Sequence, residues 1–167
     1  MRRDRQGAGA GPVTGKSAID VRPLESADHE AWYPLWRGYQ TFYRTDIPRT
    51  ASDITWRRLL DPTEPMGGAV AIGDGAVVGI VHWIFHRSCW TEADYCYLQD
   101  LFVAPALRGR QVGRRLIEFV YAMAQAKGCA RVYWHTHETN HEARKLYDRI
   151  GTLSGFIQYR HLLQGTG

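Results

Sequence analysis

Long apolar runs and paired cysteines are both missing from this sequence. No apolar stretch approaches the ~20 residues that a membrane-spanning helix needs, so we expect no membrane partner. Arg2 and Arg3 are followed by charged residues and glycines rather than an apolar segment, which argues against an export signal. The three cysteines, Cys89, Cys96 and Cys129, have no short paired spacing. A disulfide framework or cysteine zinc site is therefore not expected, and a reducing cytoplasm is the expected location.

The net positive charge is small outside the N-terminus. Of the net charge of +4, residues 1–17 contribute +3 from four basic residues and one aspartate, which leaves +1 for the remainder of the chain. This glycine-rich segment cannot bury enough apolar surface to become ordered. We interpret residues 1–17 as a disordered basic tail. A nucleic-acid-binding arm is the less favoured alternative, and no nucleic-acid partner is expected.

The remaining residues, 18–167, are expected to form a single domain, because 167 residues with 44% hydrophobic content suit one core. Hydrophobic periodicity and turn residues predict the element order β-α-α-β-β-β-α-β-α-β. The predicted strands are 19–22, 69–72, 76–86, 95–103, 131–135 and 156–163, and the predicted helices are 28–43, 51–60, 110–127 and 140–150. This order indicates an α/β or α+β fold with a mixed sheet and helices on its faces.

The turn Arg108–Gly113 lies between a predicted strand and the helix that follows it. A helix N-terminus has unpaired backbone N–H groups and a partial positive charge, so it attracts anions. Gly109 and Gly113 allow close approach of a ligand or a neighbouring backbone. Four arginines add positive charge, namely Arg108, Arg110, Arg114 and Arg115. The turn predicts a phosphate-bearing ligand, and a glycine turn with arginines on a solvated helix face is the alternative.

Phosphate-loop motifs of other classes do not match this turn, which lacks both Gly-Lys-Ser/Thr and Gly-x-Gly-x-x-Gly. Together, Tyr97–Val103, Pro105 and Arg108–Gly113 resemble the acetyl-CoA signature of the GNAT superfamily of N-acetyltransferases. A second motif of that superfamily resembles the pattern Asn-x-x-Ala-x-x-Leu-Tyr that ends at Tyr147. The resemblance covers about residues 70–163. It implies a mostly antiparallel sheet of six to seven strands flanked by about four helices.

Within the superfamily, Tyr-Leu-x-Asp-Leu-Phe-Val and His-Glu-Thr-Asn resemble the branch of spermidine/spermine and small fungal-type histone/polyamine acetyltransferases. Two residues depart from the pattern. Gln111 stands where the phosphate turn usually has its middle glycine, and its backbone N–H can still donate. Gln99 stands where the polyamine branch often has glutamate, which weakens the case for a carboxylate base at that position.

The resemblance implies transfer of an acetyl group from acetyl-CoA to a primary amine by direct attack, without a metal. The expected acceptor is a small molecule, polyamine-like or amino-acid-like, and a protein lysine or N-terminal amine is the second choice. A non-catalytic acetyl-CoA-binding sensor is the alternative from a different class. The resemblance also implies a homodimer.

The site residues come from the two motifs. Tyr147 is expected to be the general acid that protonates the leaving thiolate, and Asp100 is the candidate that accepts the proton of the amine. Tyr147 as a core aromatic, Asp100 on a solvated sheet face and Asn140 as a plain helix cap are the structural alternatives. The residues expected to bind acetyl-CoA are Leu101, Phe102, Val103, Arg108, Gly109, Arg110, Gln111, Val112, Gly113, Arg114, Asn140, Ala143 and Tyr147.

Two further features bear on ligands. Residues His137–His141 spell His-Glu-x-x-His, a zinc motif that requires both histidines on one helix face. A capping box from Thr139 to Glu142 would start the helix after His137, so no metal site is expected. The acceptor side is expected to involve helices 28–43 and 51–60 and loop 87–94. Acidic residues there are candidates to attract a cationic amine, with solvated surface charge as the alternative: Asp46, Asp53, Glu92 and Asp94.

Overall fold

The computed structural model describes residues 18–163, so the predicted tail at 1–17 lies outside the described residues. The chain divides after Trp134 into two compact units, and each is described by itself. Between residues 18 and 163, none of the helices has the length and apolarity that crossing a bilayer requires.

The first unit contains one five-stranded sheet. Its strands are β1 Asp20–Pro23, β2 Met66–Gly73, β3 Ala76–His86, β4 Tyr95–Val103 and β5 Arg131–Tyr133. They lie side by side in chain order, with three antiparallel pairings followed by a parallel pairing of β4 with β5. The predicted mixed, mostly antiparallel sheet is confirmed. Its strand count is five across the described residues, below the expected six to seven.

Three α-helices cover the two faces of this sheet, namely α1 His29–Phe42, α2 Arg49–Leu60 and α3 Val112–Lys127. Ile80 of β3 belongs to a hydrophobic cluster with residues of α1 and α2, including Trp32 and Trp56. The neighbouring Gly79 lies against Leu116 of α3. Because successive strand residues point to opposite faces, α1 and α2 cover one face and α3 covers the other.

Strand β4 contains a β-bulge near its middle. His82 of β3 pairs with Asp100, whereas the next residue, Trp83, pairs with Leu98. Gln99 is therefore the extra residue on β4, and it is exposed. A bulge of this kind bends the strand and re-aims the side chains that follow it. Here it leaves Asp100 on the face that α1 covers.

The second unit contains α4, which spans His141–Ile150 with Asn140 at its N-cap position. The predicted helix 140–150 is thus confirmed, and it begins after His137 as expected. The capping box is not formed: Asn140 rather than Thr139 is the N-cap residue, the Thr139 hydroxyl contacts His137 Nδ1 at 2.8 Å, and the Glu142 carboxylate accepts from Lys145 Nζ at 2.6 Å. The predicted strand 156–163 is wrong: residues 152–163 contain no strand and are exposed. Alternating apolar residues favour a strand only where a neighbouring strand supplies backbone hydrogen bonds.

Candidate acetyl-transfer site

The turn between β4 and α3 leads into the N-terminus of α3. A short 3-10 turn, Pro105–Leu107, follows β4, and α3 then begins at Val112. Gly109 and Gln111 adopt left-handed conformations, with φ of 80° and 64°. The Gln111 carbonyl accepts the first helical hydrogen bond, from Arg115 N at 3.0 Å. The N–H groups at the start of α3 precede this bond, so they lack helical acceptors and can bind an anion.

The arginines of this turn point in different directions. The guanidinium of Arg108 lies 5.8 Å from the ring centre of Phe102 and 5.9 Å from that of Phe42. Arg114 donates from Nε to the Glu118 carboxylate at 2.7 Å. Arg110 and Arg115 line an open cleft of about 350 Å³ beside the β2–β3 turn. The arginines therefore lie around the N-terminus of α3 and do not cluster at one point.

The edge of β4 that faces β5 is paired over only part of its length. β5 pairs with Tyr95–Tyr97, whereas β3 pairs with β4 as far as Val103. Within residues 18–134, no strand pairs with residues 98–103 on the β5 side. Backbone groups on such an edge can hydrogen-bond an extended ligand in the way that a further strand would. Leu101, Phe102 and Val103, the expected contacts of the acetyl-CoA arm, belong to this stretch.

Asp100 lies in a buried hydrogen-bonded chain. The residue is 6% exposed, and its Oδ2 lies 3.0 Å from Nδ1 of His82, which is itself 2% exposed. Nε1 of Trp32 donates to Nε2 of His82 at 2.9 Å. Because an indole N–H can only donate, Nε2 must be the acceptor and the ring proton lies on Nδ1, directed at Asp100. Asp100 is therefore not on a solvated sheet face.

Two tyrosines, Tyr39 and Tyr97, lie near Asp100, and the rings of Tyr43 and Tyr133 pack against them. Burial raises the pKa of Tyr39, and the negative charge and hydrogen bond of Asp100 raise it further. Burial, followed by the charge of Asp100, also raises the pKa of Tyr97. The rings of Tyr39 and Tyr43 are 4.9 Å apart, and Tyr97 stacks on Tyr133 at 5.1 Å.

Sequence reasoning identified Asp100 but missed the residues that hold it, His82, Trp32 and Tyr39. One signal was available. His82 interrupts the apolar run Gly79–Phe85, and a polar residue on a buried strand requires a hydrogen-bond partner. Its partners could not be identified in this way, because Trp32 lies 50 residues away in the chain.

The surface acids expected near the acceptor are mostly paired with arginines. Asp46 accepts from Arg37, Asp53 from Arg49 at 2.8 Å, and Asp94 lies 3.2 Å from Arg87. Three of the four candidates are therefore neutralised locally: Asp46, Asp53 and Asp94.

The second unit carries the residues of the second motif. Nδ2 of Asn140 donates to Thr136 Oγ1 at 3.1 Å, and this side chain forms no capping hydrogen bond with α4. Ala143 and Tyr147 are half-buried and lie one turn apart on the same face of α4. His137 precedes the helix that contains His141, so the two histidines do not share a helix face. No group of three metal-binding side chains occurs between residues 18 and 163.

Comparison with known proteins identifies the family to which this chain belongs. A model of the acetyltransferase (GNAT) family matches residues 29–152, from α1 to the end of α4. The chain belongs to that family. This GNAT chain is 37% identical over 144 residues to the D-amino-acid N-acetyltransferase HPA3 of Saccharomyces cerevisiae, covering 85% of this chain and 89% of that protein. It is therefore an acetyltransferase.

Two other matches extend the comparison of this GNAT acetyltransferase. It is 32% identical over 90 residues to the thialysine N-epsilon-acetyltransferase of Bos taurus, covering 54% of this chain and 48% of that protein. The solved aminoglycoside N-acetyltransferase AAC(6')-Iy in complex with CoA superimposes with a TM-score of 0.72 at 20% identity, covering 93% and 99% of the two chains. The structural match shows that the two proteins share a fold.

Proposed function

We propose that this GNAT protein transfers the acetyl group of acetyl-CoA to a primary amine of a small molecule, either amino-acid-like or polyamine-like. The observation that carries the proposal is the start of α3, whose first N–H groups lack helical acceptors, together with the edge of β4 at residues 98–103 that β5 does not pair. The relatives, which include a D-amino-acid and a thialysine acetyltransferase, support a small acceptor. Protein amines remain the second acceptor class.

Acetyl-CoA would be held by backbone groups and arginines. The N–H groups of Gly109 and of Gln111–Gly113 suit the diphosphate, because they combine a helix end with two left-handed residues that turn the chain. The free edge at Leu101–Val103 suits the amide groups of the pantetheine arm. The other proposed cofactor contacts are Arg108, Arg110, Arg114, Asn140, Ala143 and Tyr147.

The reaction proceeds by direct attack. The neutral amine attacks the thioester carbonyl, a C–N bond forms, and the C–S bond breaks. Asp100 draws the proton from the amine through water, and the Tyr147 phenol protonates the departing thiolate. The products are the N-acetyl amine and CoA with a free thiol. Asp100 suits this role because its neighbours donate to it and leave it an acceptor.

The test is thiol release from acetyl-CoA across a panel of D- and L-amino acids, diamines and lysine peptides. Tyr147→Phe removes the proposed acid and is expected to lower kcat by ~10²-fold or more, while leaving the acetyl-CoA Kd within about twofold, since ring packing is kept. Tyr159→Phe, at an exposed position of the same unit, is the control. Unchanged kcat in Tyr147→Phe would exclude that role. Binding of acetyl-CoA without turnover on any amine of the panel would contradict the proposed acceptor class.

The proposal extends to the assembly and location of the protein. A homodimer is supported by the large apolar side chains exposed in the second unit, among them Leu153, Phe156, Ile157 and Leu162, each at least 75% exposed. Contiguous exposed apolar surface is typical of an interface. Residues 18–167 would act as one domain. The free cysteines, Cys89, Cys96 and Cys129, fit a reducing cytoplasm.

A further inference from the structure

The start of the described chain lies at the same end of the sheet as the turn between β4 and α3. Strand β1 begins at Asp20, which pairs with Ile72 just before the β2–β3 turn. The side chain of Ile19 packs closely on Gly73, because a Cβ added to Gly73 would come 2.9 Å from Ile19 Cδ1. This contact and the pairing of β1 with β2 fix the point at which residues 1–17 join the fold.

The joining point belongs to the open cleft of about 350 Å³ beside the β2–β3 turn. Ala18 and Ile19 line this cleft together with Arg110 and Arg115. Both arginines are exposed, and neither forms an ion pair within residues 18–163. Among the described lining residues Asp74 is the one acid, so two arginines and one aspartate give the lining a net charge of +1.

The segment that precedes Ala18 adds more positive charge at this position. Residues 1–17 carry a net charge of +3, because one acid, Asp4, opposes four basic residues, which are Arg2, Arg3, Arg5 and Lys16. Consecutive Cα atoms are ~3.8 Å apart, so the Cα of Lys16 is within ~8 Å of that of Ala18. The segment and the cleft arginines have charges of the same sign and do not neutralise each other. An anion between them is attracted by both.

Coenzyme A has the charges that fit this arrangement. In addition to its diphosphate, it has a 3′-phosphate on the ribose, with a charge of about −2 at pH 7. Gly109 and Gln111, whose N–H groups are proposed to bind the diphosphate, also line the cleft. A basic segment that is covalently attached beside this position acts at a high effective concentration, so a few charges are enough to change the affinity.

We propose that residues 1–17 act as a basic arm that, together with Arg110 and Arg115, attracts the phosphate groups of acetyl-CoA to the cleft. This inference rests on the proposed function, because it requires CoA to bind at the start of α3. It gives a function to a segment whose composition alone predicts only solvation. The arm acts on affinity, so it changes the KM for acetyl-CoA and not kcat at saturation.

The test is calorimetric titration of the full chain with CoA and with dephospho-CoA, which lacks the 3′-phosphate. The arm variant replaces three basic residues together, Arg3→Ser, Arg5→Ser and Lys16→Ser. At an ionic strength of ~0.02 M we expect it to bind CoA about fivefold more weakly than the wild type, because charges are little screened there. At ~0.5 M the difference should fall below about twofold. For dephospho-CoA the loss at low ionic strength should be only about twofold, since the doubly charged phosphate is missing.

A second triple variant removes the same amount of charge elsewhere, with Arg57→Ser, Arg58→Ser and Arg87→Ser. Arg87 follows β3 at the end of the sheet opposite the β2–β3 turn, and Arg58 of α2 contacts Glu64 just before β2 at that same end. This control should keep the Kd for CoA within about twofold of the wild type at low ionic strength. Arg115→Ser, inside the cleft, should weaken CoA binding about threefold there. Tm without ligand should be unchanged in the arm variant, which checks folding.

Several outcomes overturn the arm. Equal affinity of the wild type and the arm variant for CoA at low ionic strength, a loss that salt does not reduce, or an equal loss in the control variant would each do so, and would leave the proposed function intact. An arm variant that keeps its CoA affinity but loses affinity for a short DNA duplex would show that residues 1–17 bind nucleic acid instead. A wild-type protein that does not bind CoA refutes both the arm and the proposed function.

Discussion

At the scale of single residues, Gln111 shows how a departure from a motif is accommodated. Its φ of 64° places it in the left-handed region, which is where a glycine would be free of strain. A side chain with a Cβ costs ~1 kcal/mol there. The chain nevertheless makes the turn, so the first N–H groups of α3 remain without helical acceptors. The glycine in the motif is thus explained by backbone conformation, and glutamine meets the same need under strain.

Substitutions at Gln111 should separate conformation from side-chain chemistry. Gln111→Gly is expected to leave the free energy of unfolding unchanged or raise it by up to ~1 kcal/mol, because relief of strain exceeds the added freedom of the unfolded chain. Gln111→Val should lower it by more than ~1 kcal/mol, since β-branched residues tolerate this conformation poorly. The Kd for CoA should be kept in the first variant and rise at least tenfold in the second.

Urea unfolding and calorimetry with CoA measure these effects. Gln125→Val, on an exposed helical position of α3, is the matched control and should cost only about 0.5 kcal/mol. If valine at position 111 leaves both stability and CoA affinity intact, the left-handed conformation of that residue has no influence on the site.

The sequence predicted Asp100 and the phosphate turn as site features, because both belong to short contiguous motifs. It did not predict the hydrogen bonds that connect Trp32 through His82 to Asp100. That link depends on register between β3 and β4 and on the packing of α1, which are long-range properties. Gln99 was noted as an unusual residue, yet its place in a bulge emerges only from the pairing of His82 with Asp100.

At the scale of elements, local sequence patterns predicted helices and strands correctly where one face of the element is buried. Apolar spacing predicted α1 and α3 to within about two residues at each end, and Asp-Gly at 74–75 predicted the hairpin between β2 and β3. In α1, Trp32, Trp36 and Gln40 recur every four residues and are buried together. Because these three residues form one buried face, α1 packs against the sheet in a fixed orientation. That orientation brings Tyr39 beside Asp100.

The link between β1 and the start of α1 gives a prediction with a pH signature. The hydrogen bond from Arg22 is the main cause that lowers the pKa of Asp28. Asp28 is thus a weaker base in the folded protein than in the unfolded chain. Its contribution to the free energy of unfolding is therefore complete above the ordinary aspartate pKa, and it is lost as the pH falls through the lowered pKa of the folded state. Asp28→Asn should lower the free energy of unfolding by about 2 kcal/mol at pH 7. The difference should shrink as pH falls below about 4.

Urea unfolding of both proteins between pH 3 and pH 7 measures this difference. Asp53→Asn, in an exposed ion pair with Arg49 on α2, serves as the control and should change stability by less than about 1 kcal/mol. If Asp28→Asn lowers the free energy of unfolding by the same amount over the whole pH range, the shape of the Asp28 side chain, rather than its charge, stabilises the protein.

At the scale of the whole molecule, the failed prediction of a strand at 156–163 is informative. The segment has the apolar residues of a strand, yet it forms none in residues 135–163, and its large side chains stay exposed. A strand is stabilised by a neighbour, and sequence pattern alone cannot tell whether the neighbour lies in the same chain. The exposure of Phe156 and Leu162 is what a segment completed by a second copy would show.

A paired substitution in this segment tests whether a second copy covers it. If the proposed homodimer buries Phe156 and Leu162, light scattering should give twice the mass of a single chain for the wild-type protein. The double variant Phe156→Ser, Leu162→Ser should then elute as a monomer, because each serine removes apolar area from the interface. Trp90→Ser is the matched control, since Trp90 is 78% exposed but lies in the first unit. A wild-type protein that stays monomeric at high concentration, or a double variant that stays dimeric, would show that this segment does not mediate dimerisation.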